Sequence, residues 1–230
     1  MSKIAVITAL ERELQPWVRG WNQIAIDQNG RRLRGYEKDG TIAVAGGIGC
    51  ARSEQAANAV VAKCRPQMLI SAGLAGALIR SLKVGSVITP NVTVDAASGA
   101  EYRSVFGAEM VGGGILVSAN EIAESKDVRA DLVERFHALA VDMEAAGVAR
   151  VAQQEQIAFR CVKAISDEAD FQMPPLNKFV DAEGNFQTGK FAVWTSVRPW
   201  YWGRTIALAQ NTKRATQALC DWLARNVRTH

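Results

Sequence analysis

The chain has 230 residues, 48% of them hydrophobic and 22% charged, a composition that can bury one large core and excludes a disordered polypeptide. Four scattered cysteines (Cys50, Cys64, Cys161, Cys220) with no CxxC pair read as reduced thiols and not as a zinc or disulfide framework, while only two histidines, His137 and His230, argue against histidine catalysis and His-rich metal sites. The net charge of +4 sits at the C-terminal end, where Arg198, Arg204, Lys213, Arg214, Arg225 and Arg228 face the single acid Asp221, and no broad basic patch or recognisable module points to nucleic acid.

The N-terminal stretch reaches Glu11 too soon for the apolar region of a signal peptide, and no apolar run has membrane-spanning length, so a cytoplasmic location is expected. Residues 3–9 read as a buried first strand, followed by a helix carrying Glu11, Glu13 and Trp17. Residues 33–36 and 41–45 form a hairpin pattern around Asp39-Gly40. Gly46-Gly47-Ile48-Gly49 opens a helix over 51–63, ended by Pro66. Residues 68–72 form a strand running into a loop, Gly73-Leu74-Ala75-Gly76. Further strands are expected within 84–94, 114–118, 138–141 and 157–165, with a helix over 143–154. Residues 171–198, with Pro174-Pro175 and Gly184, read as a long irregular segment, and an amphipathic helix closes the chain over 204–227. Alternating apolar runs and helical patterns predict an α/β fold, and no repeat or linker divides residues 1–230, so one domain with a C-terminal aromatic and basic wrap is expected. The Gly-Ile-Gly turn lacks the third glycine and the acidic residue of a dinucleotide fingerprint, which leaves a dehydrogenase without support.

Three stretches bear on function: Ile7-Thr8-Ala9-Leu10-Glu11-Arg12-Glu13, Val141-Asp142-Met143-Glu144-Ala145-Ala146, and Lys163-Ala164-Ile165-Ser166-Asp167-Glu168-Ala169-Asp170. In order and spacing they resemble the methylthioadenosine/S-adenosylhomocysteine nucleosidases and the wider purine nucleoside phosphorylase superfamily. Phe171-Gln172-Met173-Pro174-Pro175, Lys178-Phe179-Val180-Asp181 and Arg198-Pro199-Trp200 resemble the hopanoid-associated branch, whose members remove adenine from adenosylhopane, a lipid nucleoside. The resemblance implies a three-layer phosphorylase/hydrolase-like fold with a mixed central sheet flanked by helices. It also implies a homodimer and cleavage of a purine N-glycosidic bond without a metal or redox cofactor.

Breaking the C1′–N9 bond leaves positive charge on ribose and negative charge on the base, so a carboxylic acid at the base can assist. The resemblance gives that role to Asp167, whose ordinary pKa of about 3.9 must rise through burial or nearby carboxylates if it is to donate at neutral pH. Taken alone, Asp167 beside Ser166 reads as a turn cap, and Glu13 as a solvated helix residue. The resemblance assigns water activation to Glu13 and gives Glu144 the ribose hydroxyls, with Met143 on the ribose face. The base falls to the stretch after Ser118, through Ile122 and Ala123, with Ile122 standing where the family has a stacking phenylalanine. Gly73 and Leu74 join the substrate site. Ser71 and Leu74 replace an arginine and a serine that serve phosphate in phosphorolytic relatives, which favours water as nucleophile. Arg52 and Gly49 are the candidates for phosphate if phosphorolysis operates instead. A catalytically silent purine-binding module is the alternative of another class, and the joint presence of Glu13, Glu144 and Asp167 argues against it. The Trp200-Tyr201-Trp202 cluster and the basic excess predict either a border to the 5′ end of the nucleoside or contact with an anionic inner-membrane surface.

Overall fold

The computed structural model describes residues 4–28, 30–105, 113–181 and 186–227. Its strands are β1 (Ile4–Thr8), β2 (Asn22–Gln28), β3 (Arg31–Lys38), β4 (Thr41–Ala45), β5 (Met68–Ala77), β6 (Val87–Ile88), β7 (Val92–Asp95), β8 (Glu101–Arg103), β9 (Ile115–Ser118), β10 (Ala140–Asp142) and β11 (Ala158–Asp167). Its helices are α1 (Cys50–Cys64), α2 (Lys126–Phe136), α3 (Ala145–Gln154), α4 (Thr188–Ser196) and α5 (Trp202–Asn226).

The strands join one mixed sheet, ordered β2-β3-β4-β1-β5-β10-β9-β7-β8, with β11 also paired to β5 and β6. β1, β4, β5 and β11 run parallel, whereas β10 meets β5 antiparallel at Val141↔Gly76. Successive residues of a strand point to opposite faces, and the core divides accordingly. Ala5, Ile7 and Leu69 pack with the small residues of α1 and α3, while Val6, Ile70 and Val162 pack with Ala215, Leu219 and Leu223 of α5. Two helical layers therefore enclose the sheet, the three-layer arrangement expected. Small residues let α1 and α3 touch closely: a Cβ at Gly147 would stand 2.1 Å from the Cys50 carbonyl oxygen.

Several boundaries depart from the sequence expectation. Glu11–Glu13 is a single 3-10 turn, not the opening of a longer helix. Gly73 to Gly76 do not form a loop, because β5 continues through them to Ala77 in register with β11. The stretch 84–94 holds two short strands, β6 and the start of β7. Polar β2 and α2 were not anticipated, and α4 interrupts the segment expected to be irregular. Lys3 and Gly184 lie outside the described residues.

Candidate active site

The end of β10 delivers Asp142, Met143 and Glu144, the last at the N-cap of α3. Asp142 is tightly held. Its Oδ1 accepts from Ser118 Oγ at 2.5 Å and its Oδ2 from the Ala145 N–H at 2.8 Å, and Lys163 Nζ lies 2.7 Å from Oδ2. Glu144 Oε1 accepts from the Gly49 N–H at 3.0 Å, and its carbonyl accepts from Ser53 Oγ at 2.7 Å. Burial pushes the Glu144 carboxyl up to about 7, with the Asp142 charge adding to the rise and Lys163 opposing it. Glu13 is buried too, and its Oε2 accepts from the Leu10 N–H at 3.3 Å. Burial raises its pKa against the pull of Lys163. The Lys163 side chain, fully enclosed on β11, remains strongly protonated because the neighbouring negative charges, Asp142 first among them, outweigh desolvation.

Asp167, at the end of β11, forms a second cluster. Its Oδ1 accepts from Ser166 Oγ at 2.7 Å, and its Oδ2 lies 2.5 Å from Arg129 Nη2 in an ion pair buried on both sides. Of the two expected surroundings, burial or nearby carboxylates, Asp167 has the burial, and its charged partner is a guanidinium.

Both clusters line one cavity of about 410 Å³. Glu13, Leu74, Ile122, Ala123, Met143, Glu144, Ser166 and Asp167 all face it, so eight of the residues singled out from the sequence meet there. An apolar part of the remaining wall comes from late in the chain, Met173, Leu176, Phe186, Phe191 and Leu208, with Thr188, Thr205 and Thr212 also lining the cavity. Gly73 is not among the residues that line the cavity. A Cβ on it would lie 3.4 Å from Lys163 Nζ and 3.5 Å from Glu13 Oε2. Arg52 and Gly49 line a separate cavity that shares Ile48 and Met143 with the first, and the Gly49 N–H is already given to Glu144. Ser71 is wholly enclosed in β5.

The sequence motifs did not point to Arg129, Asn177 or Gly76, nor to Lys163 and Asp142 as a pair. The Asn177 carboxamide occupies both backbone groups of Ile122, accepting from its N–H at 2.9 Å and donating to its carbonyl at 3.0 Å. A base in this cavity would therefore meet the Ile122 side chain and Ala123, not the Ile122 backbone. Among the described residues no group of three or more His, Cys, Asp and Glu side chains is placed to hold a metal ion.

Residues 95–191 match the family model described as "Phosphorylase superfamily". Over that stretch the chain is similar to the phosphorylase superfamily. Among curated proteins it is similar to the 5′-methylthioadenosine/S-adenosylhomocysteine nucleosidase of Staphylococcus epidermidis, at 25% identity over 198 residues, covering 73% of this chain and 87% of that one. Solved structures with a similar fold include futalosine hydrolase of Helicobacter pylori, with a TM-score of 0.72, 18% identity and coverage of 96% and 95% of the two chains. They also include the Helicobacter pylori 5′-methylthioadenosine/S-adenosylhomocysteine nucleosidase in complex with a pyrrolidine nucleoside analogue, with a TM-score of 0.75, 18% identity and coverage of 98% and 97%. The corresponding nucleosidase of Neisseria meningitidis aligns over the whole of both chains, with a TM-score of 0.74 and 21% identity.

Proposed function

We propose that the protein is a nucleosidase that hydrolyses the N-glycosidic bond of a purine nucleoside and releases adenine. The observation that carries this reading is the convergence of Glu13, Glu144 and Asp167 on one cavity, which Asp142 also lines, paired with the enclosed Lys163. Glu144 receives the ribose hydroxyls, and its charge, with that of Asp142, supports positive charge developing on the sugar. Glu13 accepts a proton from water as the oxygen bonds to C1′. The C1′–N9 electron pair leaves with the base, to which Asp167 supplies a proton. The space beside Gly73, between an ammonium and a carboxylate, suits the attacking water.

Charge favours water over phosphate. The Lys163 ammonium is already paired with Asp142 and flanked by the carboxyls of Glu13 and Glu144, which leaves it little to offer a phosphate dianion. Ser71 is enclosed in the sheet, and Leu74 presents an apolar side chain where phosphorolytic relatives place a donor. The names of the nucleosidase and hydrolase relatives support the same choice.

The apolar wall supports a large apolar 5′ group, and with the sequence resemblance it supports adenosylhopane as substrate and a role in hopanoid biosynthesis. 5′-Methylthioadenosine or S-adenosylhomocysteine is the second reading, favoured by the curated relative. We also infer a homodimer, by likeness to such nucleosidases, and peripheral contact with the cytoplasmic membrane surface. For the latter, five of the seven large hydrophobic residues exposed among the described residues are Val193, Val197, Trp200, Trp202 and Ile206. From 186 to 220 the chain carries Lys190, Arg198, Arg204, Lys213 and Arg214 and no acid, a charge that fits anionic headgroups. Among the described residues no helix is long and apolar enough to cross a membrane.

The test is adenine release, followed by absorbance, from adenosines with 5′-hydroxyl, 5′-methylthio, 5′-homocysteinyl and long 5′-alkyl groups. The proposal expects release from all, with kcat/KM highest for the long alkyl chain. Absence of release from every member would overturn it, and a preference for methylthio would establish the second reading.

A further inference from the structure

Among the described residues that line the cavity, Arg129 is the one buried charged residue with no part in the chemistry above; Arg12 and Glu121 are exposed. Arg129 projects from α2, is buried, and satisfies four acceptors on three separate segments. Nε donates to the Ala123 carbonyl at 2.9 Å, Nη1 to the carbonyls of Ala77 at 3.3 Å and Glu168 at 2.9 Å, and Nη2 to Asp167 Oδ2 at 2.5 Å. A planar guanidinium has five N–H donors in a fixed fork, so one side chain can hold several elements in a single geometry. Burying such a cation is tolerable only because these acceptors are present.

The bonds to Ala77 and Glu168 are what a structural clamp needs. The other two reach the site. Ala123 belongs to the loop that faces the base, and Asp167 is the carboxyl facing the same cavity. With Ser166 Oγ on Oδ1 and Arg129 on Oδ2, the plane of the Asp167 carboxyl is fixed from both sides. Gly76 leaves the clearance this arrangement needs. When Asp167 passes its proton to the departing base, the carboxylate left behind already has a charged donor on Oδ2, and such bonds are about twice as strong as neutral ones.

We propose that Arg129 is a positioning residue for leaving-group departure, fixing Asp167 and the Ala123 loop as one unit and stabilising the carboxylate that forms on proton transfer. This rests on the reading of Asp167 as the acid. Adenine must be protonated to leave readily, whereas 4-nitrophenolate leaves unprotonated, and that difference separates help to the acid from general support of the fold.

The experiment compares wild type, Arg129→Lys, Arg129→Met and Asp167→Asn on 5′-methylthioadenosine and on the 4-nitrophenyl riboside of the same 5-methylthio sugar, with folding checked by circular dichroism. General acid catalysis contributes about 10²–10⁴-fold, so Asp167→Asn is expected to lose that factor on the adenosine and far less on the nitrophenyl riboside. Arg129→Met should follow the same pattern with a drop of about 10²-fold in kcat, at the low end of that range. Arg129→Lys, which keeps the charge but not the fork, should fall between Arg129→Met and wild type. Equal losses on both substrates in the folded Arg129→Lys protein, with Asp167→Asn still dependent on the leaving group, would overturn the proposal alone. An Asp167→Asn protein indifferent to the leaving group would overturn the acid reading and this proposal with it.

Discussion

Gly76 has no side chain where Asp167 needs room: a Cβ placed on it would stand 2.8 Å from Asp167 Oδ2. Because Arg129 and Ser166 already grip that carboxyl, it has little freedom to give way. Gly76→Ala is therefore expected to keep the fold, with an overpacking penalty of about 1–3 kcal/mol, and to lose about 10²-fold in kcat through displacement of the acid. Thermal melting and steady-state kinetics on the same preparation check both. Wild-type kcat in a folded Gly76→Ala protein would show that the position of Asp167 is not critical.

The raised pKa of Glu144 sets opposite pH trends for stability and activity. Its folded-state pKa of about 7 lies above the unfolded value, so the folded state binds more protons between about pH 4.5 and 7. Stability from this group is full below the unfolded pKa and is lost as pH rises through the folded one. In the proposed mechanism ribose binding needs the carboxylate, so kcat/KM should fall as pH drops below about 7. The difference in Tm between wild type and Glu144→Gln, measured from pH 4.5 to 8, should move against wild type with rising pH. A difference that stays flat across this window contradicts the assignment.

Lys163 neutralises a buried carboxylate. Lys163→Met would leave Asp142 without its counter-charge beside Glu144 and Glu13, and removing one partner of a buried pair costs about 3–5 kcal/mol. Urea denaturation should show that loss, and adding Asp142→Asn to Lys163→Met should restore part of it. If the double variant is no more stable than the single one, the ion pair is not what Lys163 supplies.

The exposed patch gives a prediction independent of the chemistry. Trp200 and Trp202 are 68% and 49% exposed, and neither lines the cavity, whereas Phe191 of α4 and Leu208 of α5 do. Of the two roles the sequence suggested for these tryptophans, a place beside the cavity thus belongs to their neighbours. Wild type should co-sediment with vesicles containing anionic phosphatidylglycerol, less with neutral vesicles, and Trp200→Ala/Trp202→Ala should lose this binding. Unchanged binding by the double variant, or oligomer dissociation on its mutation, would make the patch something other than a membrane contact.

The long apolar elements were legible in the sequence because burial on both faces leaves near-continuous apolar runs, as in β1 and β11. The amphipathic spacing of α5 and the Asp39-Gly40 turn were equally plain. β2 escaped notice because only Ile24 and Ile26 punctuate an otherwise polar edge strand, and α2 because its apolar residues are few among charges. Gly73 and Gly76 suggested a loop, yet they mark places where Lys163, Glu13 and Asp167 crowd a strand. The motifs led to Glu13, Glu144 and Asp167 as candidates. Nothing in a lone arginine on a polar helix indicates that it will reach Asp167 across 38 residues, or that Asn177 will cover the Ile122 backbone.

The central claim is that water, not phosphate, attacks C1′ in a site of clustered carboxylates. Its most direct measurement is mass spectrometry of the sugar product after turnover of 5′-methylthioadenosine in H₂¹⁸O containing inorganic phosphate. The account predicts free sugar carrying one ¹⁸O atom, at a rate independent of phosphate. Sugar 1-phosphate as the main product, formed only when phosphate is present, would contradict it.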